Sequence, residues 1–153
     1  MKLRTTVFFI VLAGLIAQSF TVTALAAGSL QDYLQKQSAI FEGMERGRAA
    51  MEKASTQVEA KKRAEAVSSF ESAAKHFGRS ATLIRGQKPP TVMRKYHRAL
   101  RSGLREMADA NSLSAEGLRE KDPAAIVQAA QKLECGSGHL KQAKSELERL
   151  TGE

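Results

Sequence analysis

The chain has 153 residues, with 24 Lys and Arg against 16 Asp and Glu, a formal net charge of +8 and a single cysteine. This length is enough for one compact domain, and the excess of positive charge favours contact with anionic partners. One cysteine cannot form an internal disulfide bond, which excludes a disulfide-stabilised scaffold. We therefore expect packing alone to stabilise the fold.

The N-terminal segment is typical of a secretory signal peptide. Lys2 and Arg4 precede an apolar stretch at residues 7–17, and Ala24-Leu25-Ala26 provides an A-x-A cleavage site. This order of a basic region, an apolar region and a small-residue site predicts that residues 1–26 form a signal that is removed. The sequence therefore predicts an exported protein, periplasmic or extracellular.

An uncleaved anchor is the alternative for this segment. No charged residue occurs between Arg4 and Asp32, and the uncharged residues 5–27 are enough to span a hydrocarbon core of ~30 Å. In that case the protein would contact the membrane through this segment and would be anchored on its outer side.

Four separate runs of apolar residues, spaced about every 3.5 residues, follow this segment and favour coiled-coil-like helix packing. The predicted helices cover about residues 29–54, 57–86, 90–120 and 123–151. Ser29 and Thr56 begin capping-box patterns, Pro89-Pro90 separates the second helix from the third, and Asp122-Pro123 begins the fourth. The sequence predicts an all-α protein, an up-down-up-down antiparallel four-helix bundle preceded by an N-terminal signal helix.

The phase of the apolar pattern shifts between the first two runs, which predicts a break near residues 55–57. The predicted core face is rich in small residues, with glycines at 47, 103, 117 and 136. We expect close helix packing opposite Phe70 or Phe77. A small ligand cavity in the core is the alternative.

The layout, with Pro89-Pro90 before the third helix, is similar to that of the soluble periplasmic b-type cytochromes. That family takes a haem-ligating methionine from the start of its first helix and a histidine from near the end of its fourth. The matching turns hold other residues here, namely Leu30, Tyr33 and Leu34 in the first helix and Lys144, Glu146 and Arg149 in the fourth. The resemblance therefore implies the architecture only, and we predict no cofactor.

Cys135 and His139 lie four residues apart, on one side of the fourth predicted helix. Cys135 is offset from the apolar face at Leu133 and Leu140, so we predict an exposed thiol. Metal binding by Cys135 and His139 is a weaker alternative, because a metal needs three or four ligands. The stretch lacks the second cysteine of the C-x-x-C-H haem motif, and an unpaired cysteine outside the cytoplasm also predicts a Cys135-linked homodimer.

A window from Ser72 to Arg105 contains no acidic residue. Its bases are Lys75, Arg79, Arg85, Lys88, Arg94, Lys95, Arg98, Arg101 and Arg105. The arginines at 94, 98, 101 and 105 step by four, three and four residues, so they form one stripe on the third helix. We predict that these bases, from Arg79 onward, bind an anionic partner at one end of the bundle. A solvated surface without a partner is the alternative.

The candidate partners of this basic end are anionic lipid headgroups, acidic envelope polymers and an acidic protein. Nucleic acid is less favoured, because Tyr96 is the one aromatic within the arginine stripe at residues 94–105 and no reading motif occurs. No catalytic motif is present, so we predict a non-enzymatic interaction module of the bacterial envelope or periplasm. The alternative function is a small periplasmic carrier that holds a cofactor or metal in the bundle core.

Overall fold

The structure is a computed structural model that describes the backbone of residues 24–151 and the side chains of residues 30–151. Its α-helices are α1 (Ala24–Gln35), α2 (Ser38–Glu59), α3 (Arg63–Arg85), α4 (Arg94–Glu120) and α5 (Pro123–Thr151), and a 3₁₀ turn, Thr91–Met93, precedes α4. Within residues 24–151 there is no strand. The predicted all-α class with four long helices is confirmed. Most of the predicted signal or anchor, residues 1–23, lies outside the described part of the chain.

Each long helix packs against the next in sequence, α2 on α3, α3 on α4 and α4 on α5. One cluster of buried side chains draws on all five helices. Its fully buried large members include Ile40, Phe77, Ile84, Met93 and Leu104. No helix among residues 24–151 is long and apolar enough to cross a membrane.

The first predicted helix is interrupted at Lys36 and Gln37, which separate α1 from α2. The Gln37 side chain is completely buried, and its Oε1 accepts a hydrogen bond from the Tyr96 hydroxyl at 2.5 Å. The Gln37 backbone N–H donates to the Leu34 carbonyl, which closes a tight turn. The break therefore places a polar side chain in the core, where Tyr96 is its partner.

The break between α2 and α3 lies at residues 60–62, a few residues beyond the position that the apolar pattern indicates. Thr56 is inside α2, where its hydroxyl donates to the Glu52 carbonyl rather than capping a new helix. The chain turns at Lys61, whose φ of 59° is left-handed. Lys61 N–H donates to the Val58 carbonyl and Lys62 N–H to the Gln57 carbonyl, the hydrogen-bond pattern of a Schellman motif.

The predicted glycine contact with an aromatic ring is present at Gly47. A Cβ atom at this position would lie 2.9–3.0 Å from ring carbons of Phe77, so the backbone of α2 passes close to the face of a buried ring. The start of α5 buries small side chains rather than large ones. Ala125 and Ala129 are buried there, whereas Ile126 is 39 % exposed and lies beside Gly117.

Candidate anion-binding site

The nine bases of the acid-free window all have exposed side chains in the structure. They occupy the second half of α3, the connection at residues 86–93 and the first half of α4. Arg85 at the end of α3 and the arginine stripe at the start of α4 thus lie on adjoining parts of one helical hairpin. We call the nine residues the basic surface.

The arginine stripe of α4 borders an open depression with a volume of about 410 Å³. Its lining residues are Pro89, Arg94, His97, Arg98, Arg101, Ser102 and Arg105. Four arginine side chains thus line one side of an open space large enough for several non-hydrogen atoms of a ligand. Guanidinium groups carry planar sets of N–H donors that match carboxylate and phosphate oxygens.

None of the nine bases forms an ion pair or a side-chain hydrogen bond within residues 30–151. Seven of the thirteen other bases among residues 30–151 have acidic partners. Arg48 Nη1 lies 2.6 Å from Glu52 Oε1, and Lys132 Nζ lies 2.8 Å from Glu106 Oε2. The hydrogen bond to Glu106 also raises the pKa of Lys132. The basic surface therefore concentrates positive charge that no carboxylate of the described chain neutralises.

His97 connects this depression with α1. The Tyr33 hydroxyl and His97 Nδ1 are 2.8 Å apart, and the two ring centroids are 6.1 Å apart. Burial, together with the charge of Arg101, lowers the pKa of His97. The imidazole is therefore biased toward its neutral form, and it lies as a polar, uncharged group among the arginines.

The structure separates the predicted site residues into two groups. Arg94, Arg98, Arg101 and Arg105 line the depression, whereas Lys95, Arg79, Arg85 and Lys88 are exposed outside it. His97, Ser102 and Pro89 also line the depression and were not among the predicted site residues. His97 and Ser102 follow from helical geometry, since residues spaced by three or four positions from Arg94, Arg98 and Arg101 share their face.

Cys135 is exposed on α5 and has no disulfide partner. His139, one turn further along, is half-buried. No group of three or more His, Cys, Asp or Glu side chains that could hold a metal ion occurs in the described part of the chain. The weaker alternative, metal binding by Cys135 and His139, thus has two candidate ligands and no third from the described residues.

Comparison of the chain with known protein families, with curated proteins and with solved structures found no match.

Proposed function

We propose that this protein is an exported, non-enzymatic helical-bundle protein of the bacterial envelope or periplasm, which binds an anionic partner through its basic surface. One observation carries this proposal: nine exposed bases lie on one hairpin with no ion pair to any described carboxylate. Like charges held close together repel, and an anionic partner relieves that repulsion. The depression beside α4 offers four guanidinium groups to the same partner.

We propose that the four long helices run up, down, up and down. Contacts between consecutive helices support this topology, because higher residue numbers on one helix meet lower numbers on the next. These pairs are Ile40 with Ser80 and Gln57 with Ser69, Glu71 with Arg119 and Gly78 with Ala108, and Gly103 with Leu140 and Gly117 with Ile126. In this topology the N-terminus of the bundle lies at the same end as the α3–α4 connection.

Export is the part of the proposal that rests on the sequence alone. The basic start, the apolar stretch and Ala24-Leu25-Ala26 support removal of residues 1–26. The intact mass of the protein recovered from its native host should correspond to a chain that begins at Ala27 or Gly28. A membrane-bound species that retains Met1 would instead establish the uncleaved anchor over residues 5–27.

Binding to a soluble acidic polymer such as polyglutamate tests the basic surface directly. We expect the affinity to fall steeply with added salt, because charges at a protein surface are screened within ~10 Å at about 0.1 M ionic strength. The test variant carries four charge reversals, Arg94→Glu, Arg98→Glu, Arg101→Glu and Arg105→Glu. It should lose the binding and keep the helical circular dichroism spectrum.

A matched control changes the net charge by the same amount elsewhere. Four other exposed bases that form no ion pair within residues 30–151 serve this purpose, in the variant Lys53→Glu, Lys61→Glu, Arg63→Glu and Lys121→Glu. If both variants lose affinity equally, net charge governs the binding and the proposed surface is wrong.

A Soret band or stoichiometric metal in protein from the native host would favour the alternative function, a cofactor or metal carrier.

A further inference from the structure

The connection between α3 and α4, residues 86–93, combines positive charge with an exposed apolar side chain. Val92 lies on the 3₁₀ turn with 58 % of its surface exposed, and Leu83 on the last part of α3 is 39 % exposed. Arg85 and Lys88 come before Val92, and Arg94 and Lys95 follow it. This segment, residues 85–95, is called the tip.

Buried side chains and hydrogen bonds hold the tip in place. Ile84 and Met93 are completely buried and fix both ends of the connection in the core. The Gln87 Nε2 donates to the Lys36 carbonyl at 2.9 Å, and Met93 N–H donates to the Pro90 carbonyl at 2.9 Å. Val92 is therefore presented to solvent on a fixed turn.

An anionic bilayer surface fits both features of the tip, whereas a soluble acidic polymer fits only the charge. Each base near such a surface adds electrostatic attraction, and an apolar side chain that enters the headgroup region is removed from water. From these observations we propose that the tip docks on an anionic lipid bilayer, with Val92 inserted among the headgroups. This inference rests on the proposed function and names its partner.

Two valines with similar exposure, Val92 and Val127, provide a matched pair of variants. Val127, near the start of α5, is 57 % exposed, nearly the same fraction as Val92, but it lies far along the chain from the tip. The variants are Val92→Asn and Val127→Asn. Both substitute an exposed position, so neither should disturb the core.

Sedimentation with vesicles that contain about one third anionic phosphatidylglycerol, compared with pure phosphatidylcholine, measures the docking. We expect Val92→Asn to lower binding to the anionic vesicles about 5-fold or more, given the free energy gained when a valine side chain leaves water. Val127→Asn should bind like the wild type. Neither substitution should change binding to polyglutamate, because that partner senses charge alone.

The chain contains no tryptophan, so a single introduced tryptophan reports its own surroundings. The emission of Val92→Trp should shift to shorter wavelength on anionic vesicles, and that of Val127→Trp should not. If polyglutamate binds but Val92→Asn and Val127→Asn behave alike on vesicles, or if Val92→Trp shows no shift, the bilayer inference is wrong and the proposed function stands. If neither polyglutamate nor vesicles bind, the proposed function itself is wrong.

Discussion

The Tyr33 hydroxyl on α1 lies 2.8 Å from His97 Nδ1 on α4, although the two residues are 64 positions apart. Burial raises the pKa of Tyr33, so the phenol keeps its proton and can donate it. Burial and Arg101 lower the pKa of His97, so its imidazole can accept with Nδ1 when the ring proton is on Nε2. The contact therefore joins two neutral groups, at the edge of a strongly positive surface.

The lowered pKa of His97 predicts a loss of stability in mild acid. An unfolded histidine takes up its proton near pH 6.5, whereas the folded His97 does so only at lower pH. The unfolded state therefore binds more protons below about pH 6.5, and the free energy of unfolding falls until pH drops below the folded pKa. Urea unfolding at about pH 7 and about pH 5, followed by circular dichroism, measures the difference.

Other groups also titrate in this range, so His97→Gln is the reference. We expect the free energy of unfolding of His97→Gln to change less between the two pH values than that of the wild type. Equal changes in both proteins would show that His97 does not couple folding to pH.

Substitution by alanine should change the free energy of unfolding in opposite directions at Gly47 and Gly138. A Cβ at Gly47 would lie 2.9–3.0 Å from carbons of the Phe77 ring, which is completely buried. Gly47→Ala should lower the free energy of unfolding by about 1–2 kcal/mol, because overpacking outweighs the gain in helix propensity. Nothing lies within 4 Å of a Cβ at Gly138, so Gly138→Ala should raise it by up to about 1 kcal/mol. Chemical denaturation of both variants checks the signs, and stabilisation by Gly47→Ala would contradict the close approach.

The apolar periodicity predicts the class and most of the core, but it places the α2–α3 break a few residues early and misses the break at Lys36 and Gln37. Helix ends are usually recognised in a sequence by glycine, which adopts the left-handed conformation at low cost. Here Lys61 and Lys121 hold those positions, with φ of 59° and 58°. Lysine gives no such signal, so the α2–α3 break could not be located. By contrast, Asp122 reads correctly as a cap, since its Oδ1 accepts from the Ala124 N–H at 2.8 Å.

The charge pattern predicts the bases of the candidate site but not their surroundings. The four arginines follow from helical spacing, and the same spacing could have added His97 and Ser102. Tyr33 could not be found in this way, because its contact with His97 depends on how α1 packs across α4. Six of the seven residues that line the depression lie on α4, and the seventh, Pro89, is in the connection before it, a position that helical spacing does not indicate.

The Tyr96–Gln37 hydrogen bond predicts a strongly non-additive pair of substitutions. Both side chains are buried, and Gln37 Nε2 has no hydrogen-bond partner among the described residues. Tyr96→Phe would leave Gln37 Oε1 without its donor, and Gln37→Leu would leave the Tyr96 hydroxyl without its acceptor. Each single change should cost about 1–3 kcal/mol.

The double variant Gln37→Leu with Tyr96→Phe removes both polar groups together. We expect it to be more stable than the sum of the two single losses implies, because no unpaired polar atom remains from this pair. Free energies of unfolding for the four proteins of the cycle measure the coupling. Simple additivity would mean that the 2.5 Å contact contributes nothing specific to stability.

The exposed position of Cys135 predicts a thiol that reagents can reach and that the fold does not need. Its side chain is exposed, while Gly136 beside it faces the core. A thiol reagent should therefore label the native, reduced protein at a rate near that of the urea-unfolded protein. Cys135→Ser should change the free energy of unfolding by no more than about 0.5 kcal/mol, as is usual for surface substitutions.

The same exposure makes Cys135 available to a second copy of the chain under oxidising conditions. Non-reducing electrophoresis should show a dimer that disappears on reduction and is absent from Cys135→Ser. Slow labelling of the native protein, together with a stability loss above about 2 kcal/mol in Cys135→Ser, would contradict the exposed position. Such a result would mean that this face of α5 is covered in solution.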